Sequence, residues 1–241
     1  MKKIYITIII MLILIILCLC YFYKNKSYLK YTTVNVNLDK ENKISSIDDE
    51  HKNIIKIYFP ITNYLKLDQK VEKEVEKYVK EFKDGISNYS IQREIYYSLY
   101  INYDRYDYKN YISIVLNIET FLGGAHPDHI IKTIVFDKDE NKIITIDDLI
   151  KENKNILNEL SDISREKLRE NEKFSNSQFN IDMFNDGTKP IHDNYTNFAF
   201  TDKGLKIYFS YYQIAPYYYG STSIIIPYKD LKLKEWLFIT L

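Results

Sequence analysis

The clearest pattern along this 241-residue chain is an uncharged run from Ile4 to Tyr23, twenty residues that would form a helix about 30 Å long, the thickness of a bilayer core. Further on, Leu67, Val71, Val75, Tyr78, Val79 and Phe82 recur at spacings of three and four, which predicts an amphipathic helix over Leu67 to Phe82. Asp68 is placed to cap its start and Gly85 to close its end, and Glu76 and Lys80 stand in the favourable i,i+4 order. Strands are predicted at Ile54–Phe59, stopped by Pro60, at Ile91–Asp104 and at Tyr111–Leu122. In the last of these Ile112, Ile114, Leu116 and Ile118 alternate with Ser113, Val115, Asn117 and Glu119, the pattern of a strand with one buried face. The polar stretch Asp104–Asn110 reads as the connection between the two strands.

Ile130–Asp137 and Lys142–Ile146 flank the turn Lys138–Asn141 as a hairpin. Thr145-Ile146-Asp147-Asp148 has the form of a helix start, and that helix runs through Leu149, Ile150, Ile156, Leu157, Leu160 and Ile163 with a break near Ser161–Ser164. Asn171–Asn194 reads as an irregular surface loop. A final hairpin joins Asn197–Thr201 to Leu205–Gln213 through Asp202-Lys203-Gly204, and Thr222–Ile226 forms a strand before Pro227. The sum is an α+β fold with antiparallel sheets and two main helical segments, preceded by a single N-terminal transmembrane helix. The expected organisation is a cytoplasmic stub and anchor over 1–23, a stalk and first strand over 24–53 beginning near Tyr31–Val36, and two α+β subdomains of one module, 54–122 and 123–241.

Charge places the ends. Lys2 and Lys3 precede the apolar run and no acidic residue occurs before Asp39, so the N-terminus is expected in the cytoplasm and the rest outside the cell membrane. The exit Leu17-Cys18-Leu19-Cys20-Tyr21-Phe22-Tyr23 lacks the small residues of a signal-peptidase site, and each cysteine follows a leucine, so the segment reads as an uncleaved anchor. Both cysteines lie within it, and the remaining chain must fold on its core without disulfides. Leaving out Lys2 and Lys3, 31 Lys and Arg face 33 Asp and Glu, and no basic field exists to attract nucleic acid. The chain is rich in Ile, Lys, Asn and Tyr, with only three alanines (Ala125, Ala199, Ala215), which dilutes the meaning of tyrosine abundance.

No catalytic constellation stands out. There is no Gly-x-Ser-x-Gly, His-Glu-x-x-His or phosphate loop, and Asp147-Asp148 is accounted for as a helix start, so no enzyme and no cofactor are expected. His126-Pro127-Asp128-His129 brings three metal-ligating residue types together, but residues three apart in a strand point to opposite faces, and no metal site is expected. The plainer reading is a structural turn in which Gly123 and Gly124 permit positive φ or close packing and His126 makes hydrogen bonds. The candidate binding surface is Tyr211-Tyr212-Gln213-Ile214-Ala215-Pro216-Tyr217-Tyr218-Tyr219-Gly220. It sets five tyrosines around Pro216 and a glycine, with aromatic faces and hydroxyls suited to a protein partner or a sugar ring. The alternative is that some of these tyrosines pack on the sheet.

The order of the short motifs carries a resemblance. Phe121-Leu122-Gly123-Gly124-Ala125-His126-Pro127, the hairpin Ile134-Val135-Phe136-Asp137 with Thr145-Ile146-Asp147-Asp148-Leu149-Ile150, Phe198-Ala199-Phe200-Thr201-Asp202-Lys203-Gly204-Leu205, Ile214-Ala215-Pro216-Tyr217 and Ile226-Pro227-Tyr228 together resemble the outer domain of RsiV-type anti-sigma factors. The same module sits ahead of the catalytic domain in PdaC-type peptidoglycan deacetylases. The match spans roughly Ile54 to Leu231. It implies an α+β module outside the cell with a binding or sensing role, and in the anti-sigma factors the ligand is lysozyme. Only Met1, Lys2 and Lys3 precede the anchor and the chain ends at Leu241, so neither a sigma-binding segment nor a deacetylase domain is expected. The partner expected is a lysozyme-like protein, with peptidoglycan itself as the alternative through the tyrosine loop. A metal-dependent hydrolase at His126 is the third reading.

Overall fold

The computed structural model describes residues 41–48, 53–88, 96–175 and 181–233, all within one compact unit, Val34–Leu241. The predicted anchor, the strand near Tyr31–Val36 and the first part of Ile91–Asp104 lie outside the described residues. Among the described residues no helix is long and apolar enough to cross a membrane.

Two sheets form the frame. The larger takes the strands β1 (Glu41–Asp48), β2 (Asn53–Pro60), β3 (Tyr97–Tyr108), β4 (Tyr111–Phe121), β5 (Asp128–Asp137) and β6 (Lys142–Ile144) in chain order, and the smaller takes β7 (Phe198–Thr201), β8 (Gly204–Phe209) and β9 (Thr222–Ile226). β1 arises within the stretch read as polar stalk and pairs along its full length with β2. Pairing is antiparallel except between β2 and β3, which are parallel because helix α1 (Leu65–Asn88) carries the chain back between them. β5 and β6 lie beyond the expected subdomain boundary at 122/123 and complete the larger sheet.

α1 places Leu67, Val71, Val75, Tyr78, Val79 and Phe82 in the core, as its spacing predicts, and packs against β2, β3, β5 and β6. Its ends differ from the prediction. The helix begins at Leu65, and Asp68 lies in its first turn, accepting hydrogen bonds from Thr62 N (2.8 Å) and Thr62 Oγ1 (2.7 Å). Gly85 does not stop the helix. It lies inside it, where a Cβ would come within 2.6 Å of Leu122 Cδ1, so the glycine serves packing. Likewise Asp104–Asn110 is mostly strand: β3 runs to Tyr108 and the reversal is confined to Lys109-Asn110, with Lys109 at φ 52°.

The largest departure concerns β4. Ser113 and Val115, expected on a solvent face, are fully buried together with Ile112, Ile114 and Leu116. Both faces are covered, because β7 lies against β3, β4 and β5 on the side opposite α1. The backbone of β7 meets that face edge-on. Phe200 N donates to Ser113 Oγ (3.0 Å) and Phe198 N donates to Thr133 Oγ1 (3.0 Å), while Thr133 N donates to Asn197 Oδ1 (3.2 Å). The Tyr228 hydroxyl closes the far end, donating to Thr201 O (2.8 Å) and accepting from Thr201 N (3.0 Å).

The helical segment after β6 starts as predicted at Ile146, with Asp148 Oδ2 accepting from Thr145 N (2.9 Å) and Thr145 Oγ1 (3.0 Å). The break falls elsewhere. α2 (Ile146–Glu152) ends before Asn153, whose side chain accepts from Asn155 N (2.9 Å), and α3 (Ile156–Arg169) runs unbroken through Ser161 and Ser164. Both serines are buried, and Ser161 Oγ donates to Thr188 O (2.7 Å). The expected surface loop 171–194 is also corrected. It holds α4 (Glu172–Ser175), α5 (Ile181–Gly187) and the start of a 3-10 turn (His192–Tyr195), and Phe174 and Phe184 from it, with Tyr195 directly after it, are all buried in the core. Three aromatic anchors in a polar sequence suffice to dock it.

Two outcomes follow. Ser113→Ala removes the acceptor of a buried N–H and is expected to cost about 1–3 kcal/mol in denaturant unfolding, and a loss below about 0.5 kcal/mol would show that the edge contact is not needed. His192 stands between Asp193 (Nδ1, 3.0 Å) and Asp147 (Nε2, 3.4 Å), and the hydrogen bond to Asp193, then the two negative charges, raises its pKa above the ordinary 6.5. A raised folded pKa adds stability that is complete below the unfolded value and disappears as pH rises through the folded one. The wild type is therefore expected to exceed His192→Gln slightly in melting temperature at about pH 5.5 and to equal it at about pH 9, with the gap small because His192 and both aspartates are exposed. A gap that does not change with pH excludes this ion pair as its source.

Candidate functional site

Two connections from different sheets meet at one end of the molecule. The first is the β4–β5 connection, Leu122–Pro127, and the second joins β8 to β9 across Ser210–Ser221. Gly123 adopts φ 83°, a left-handed conformation that glycine takes without strain. Gly124 is under no such demand, since a Cβ there would meet only His126 O at 3.7 Å.

His126 joins the two connections. Its Nδ1 lies 3.0 Å from Pro127 O and its Nε2 3.2 Å from the Tyr212 hydroxyl. A carbonyl oxygen only accepts, so Nδ1 carries the proton and Nε2 accepts from Tyr212. The Tyr217 hydroxyl donates to the same Pro127 carbonyl (3.0 Å), and the His126 ring stacks on Tyr217 with centroids 3.7 Å apart and planes at 18°. On β5, His129 stacks on Tyr211 (4.7 Å, 16°) with Glu119 Oε2 3.7 Å from its Nδ1. Tyr211 and Tyr212 each lie beside Tyr217, at 5.0 and 5.6 Å. The five rings form a continuous aromatic ledge. Loss of hydration, then Tyr211, Glu119, Tyr212 and Asp128, raises the pKa of Tyr217, so its hydroxyl stays protonated and keeps donating.

The tyrosine loop is thus divided by function of its side chains. Tyr211 and Tyr217 are half-buried in the stack, and Tyr219 turns inward to stack on Phe174 (5.7 Å, 20°). Tyr212 and Tyr218 face solvent, at 52% and 75% exposure. Pro216 opens the 3-10 turn Tyr217–Tyr219, and Gly220 leaves it at φ 74°. Tyr212 itself sits at φ 61°, a region disfavoured for a bulky residue. Gln213 supports it: Nε2 donates to Gly187 O and Asn194 O (both 3.1 Å) and Oε1 accepts from Ser210 N (3.0 Å).

Sequence reasoning placed the His126 turn and the tyrosine loop as separate features, and the structure brings them together. It missed His129 and Glu119 as neighbours of the loop. His129, three residues past His126 among only four histidines, was the available signal. Among the described residues no group of three or more His, Cys, Asp or Glu is arranged to hold a metal ion.

Residues 147–229, from α2 through the tyrosine loop, match the family described as "Protein of unknown function (DUF3298)". The chain is 31% identical over 186 residues to the peptidoglycan-N-acetylmuramic acid deacetylase PdaC of Bacillus subtilis (strain 168), a match covering 74% of this chain and 38% of that protein. Among solved structures, a DUF3298 family protein of Pseudomonas aeruginosa PAO1 superposes with TM-score 0.60 at 17% identity, over 82% of this chain and 95% of its own. A DUF3298 family member of Bacteroides fragilis NCTC 9343 gives TM-score 0.51 at 19% identity, over 79% and 90%. These two show the fold alone. The chain thus has an α+β fold, matches DUF3298 over residues 147–229 and is similar to PdaC, and it spans well under half the length of that deacetylase relative.

Proposed function

We propose that this chain is a membrane-anchored extracytoplasmic module that binds rather than catalyses, and that its tyrosine loop takes lysozyme or a related wall-directed protein. The anchor pattern at Ile4–Tyr23 and the resemblance to the outer domain of RsiV-type anti-sigma factors support the location and the ligand class. Similarity to a peptidoglycan deacetylase over 38% of that relative's length fits a cell-envelope role. The single observation that carries the reading is the ledge itself. Tyr212 and Tyr218 are presented outward by a loop whose remaining tyrosines are locked in stacks, and such rigid aromatic anchors lose little entropy on meeting a protein surface.

The alternative of a sugar platform at the same loop is less favoured by this geometry. Tyr211 and Tyr217 already use a ring face on His129 and His126, so those two faces are closed to a pyranose.

Capture of lysozyme by the full chain in detergent is the direct test. Binding at micromolar lysozyme, weakened at least about fivefold by Tyr218→Ala, is expected for an exposed hot-spot tyrosine; no capture at that concentration sinks the proposal. A second measurement examines how the ledge is held. His126→Ala is expected to speed amide exchange across residues 211–220 while global stability shifts by less than about 1 kcal/mol. Unchanged exchange would mean that the stack does not restrain the loop.

A further inference from the structure

β4 begins at Tyr111 and ends at Phe121, so its first residue lies about 30 Å along the strand from the end that carries the His126 turn. The register sets Tyr111 beside Asp137 on β5 and Asp137 beside Lys142 on β6, which puts these three on one face of the sheet. Ile144 shares that face, two residues beyond Lys142. α2 borders it with Asp148, Leu149, Lys151 and Glu152, and between strand and helix lies a cavity of about 520 Å³. That volume is ordinary for a small-molecule site.

Tyr111, Ile144 and Leu149 are the buried part of the lining. Tyr111 stacks on Phe200 at 4.4 Å, yet its hydroxyl is buried without a hydrogen-bond partner among the described residues. A phenylalanine would fill the same space without leaving a polar group unmet, so the hydroxyl points to a ligand that the cavity admits. The surrounding charges decide the sign of that ligand. Burial, then the carboxylates of Asp137 and Glu140, raises the pKa of this hydroxyl. Asp137 is itself buried and makes no ion pair among the described residues; its Oδ1 accepts from Asn110 Nδ2 (3.2 Å), Asp139 N (2.9 Å) and Glu140 N (3.0 Å). A hydroxyl bordered by two carboxylates favours a cationic group and disfavours an anion. Among the described residues the acids do not converge on a metal site, so the cation that fits is an ammonium. Ile144 and Leu149 then offer an aliphatic wall, and the rim is zwitterionic. There Lys142 Nζ lies 2.6 Å from Glu140 Oε2 and Lys151 Nζ 3.6 Å from Asp148 Oδ1. Such surface pairs contribute little and yield readily to a ligand's own charges.

We infer that the cavity between β6 and α2 binds a basic aliphatic amino acid of the lysine class. The ω-ammonium sits against the Tyr111 hydroxyl, the methylenes lie along Ile144 and Leu149, and the α-carboxylate meets Lys151 with the α-ammonium beside Glu152. The ligand's sequence of ammonium, aliphatic chain and zwitterion follows the lining from the buried hydroxyl to the rim. A sugar would leave the aliphatic wall unmatched, and a dicarboxylate would set an anion beside Asp137 and Glu140. The free amino acid and the C-terminal residue of a peptide share this chemistry. The site lies at the other end of β4 from the His126 turn and stands whether or not the ledge binds a protein.

Calorimetric titration of the full chain in detergent with L-lysine tests the inference. The wild type is expected to bind with a Kd below about 1 mM, and to bind L-norleucine, the same carbon chain without the ω-ammonium, about tenfold more weakly. Tyr111→Phe is expected to weaken lysine binding about tenfold while melting at or above the wild-type temperature, since it removes only an unpartnered hydroxyl. Lys151→Ala, at an exposed position, is expected to weaken it about threefold with melting unchanged. Nα-acetyl-L-lysine separates the two sources: binding equal to that of lysine assigns the C-terminal residue of a peptide, weaker binding assigns the free amino acid, and both uphold the site. No heat at about 5 mM lysine overturns the inference. Equal affinity for norleucine, or lysine affinity unchanged in both Tyr111→Phe and Lys151→Ala, overturns it as well.

Discussion

The structure depends on how one strand edge is received. β7 is the outer strand of the smaller sheet, and its outward N–H groups at Phe198 and Phe200 are buried against the larger sheet rather than open to water. An unpaired buried amide costs as much as several good contacts return. Thr133 and Ser113 resolve this by placing a hydroxyl under each N–H. Once those bonds form, Phe198 and Phe200 are committed to the aromatic core, with Tyr111 stacked on Phe200 at 4.4 Å. The two sheets then have one relative register, since a slip of β7 by one residue would turn its N–H groups away from both hydroxyls.

That register is what brings the ledge together. The β8–β9 connection belongs to the smaller sheet and the His126 turn to the larger, and they meet through Tyr212 and Tyr217 on His126 and Pro127. Ser113 and Thr133 set the position of β7, β7 sets β8 through Phe198↔Ile207 and Phe200↔Leu205, and β8 delivers Tyr211 over His129. The same placement decides what remains uncovered. The smaller sheet covers the face around Ser113, Val115 and Thr133 and reaches β3 at Tyr106, leaving the Tyr100–Asn102–Asp104 side open. Ledge and open face are two consequences of one docking event.

Much of the fold could be read from the chain where local chemistry decides it. The three-four spacing of α1, the Thr145–Asp148 helix start and the Asp202-Lys203-Gly204 reversal each depend on neighbours in sequence, and each is found where expected or within a few residues. The errors share a cause. Ser113 alternates with isoleucines and so resembles a solvent-facing residue, because alternation records polarity and cannot say that the polar side chain answers a distant amide. Gly85 resembles a helix stop, because nothing near it reveals Leu122, thirty-odd residues later in the chain. The candidate site was legible as composition, five tyrosines about a proline, but not as geometry, since its organising residue is His126 on another loop.

The stretch 171–194 carries this point furthest. It has no periodicity, yet its residues form the footing of the ledge. Gly187 ends α5 where a Cβ would lie 1.9 Å from Gln213 O, so only a glycine allows the tyrosine loop to come down onto the helix. Gln213 then bridges Gly187, Asn194 and Ser210, and immediately before it Tyr212 is held at φ 61°. A bulky residue in that region costs on the order of 1–2 kcal/mol, and a free loop would relax out of it. Here the clamp at Gln213 on one side and the hydroxyl bond to His126 on the other leave no cheaper backbone path. The exposed ring is therefore an outcome of constraint from both sheets and from α5, which distinguishes Tyr212 from a tyrosine that merely lacks a place in the core.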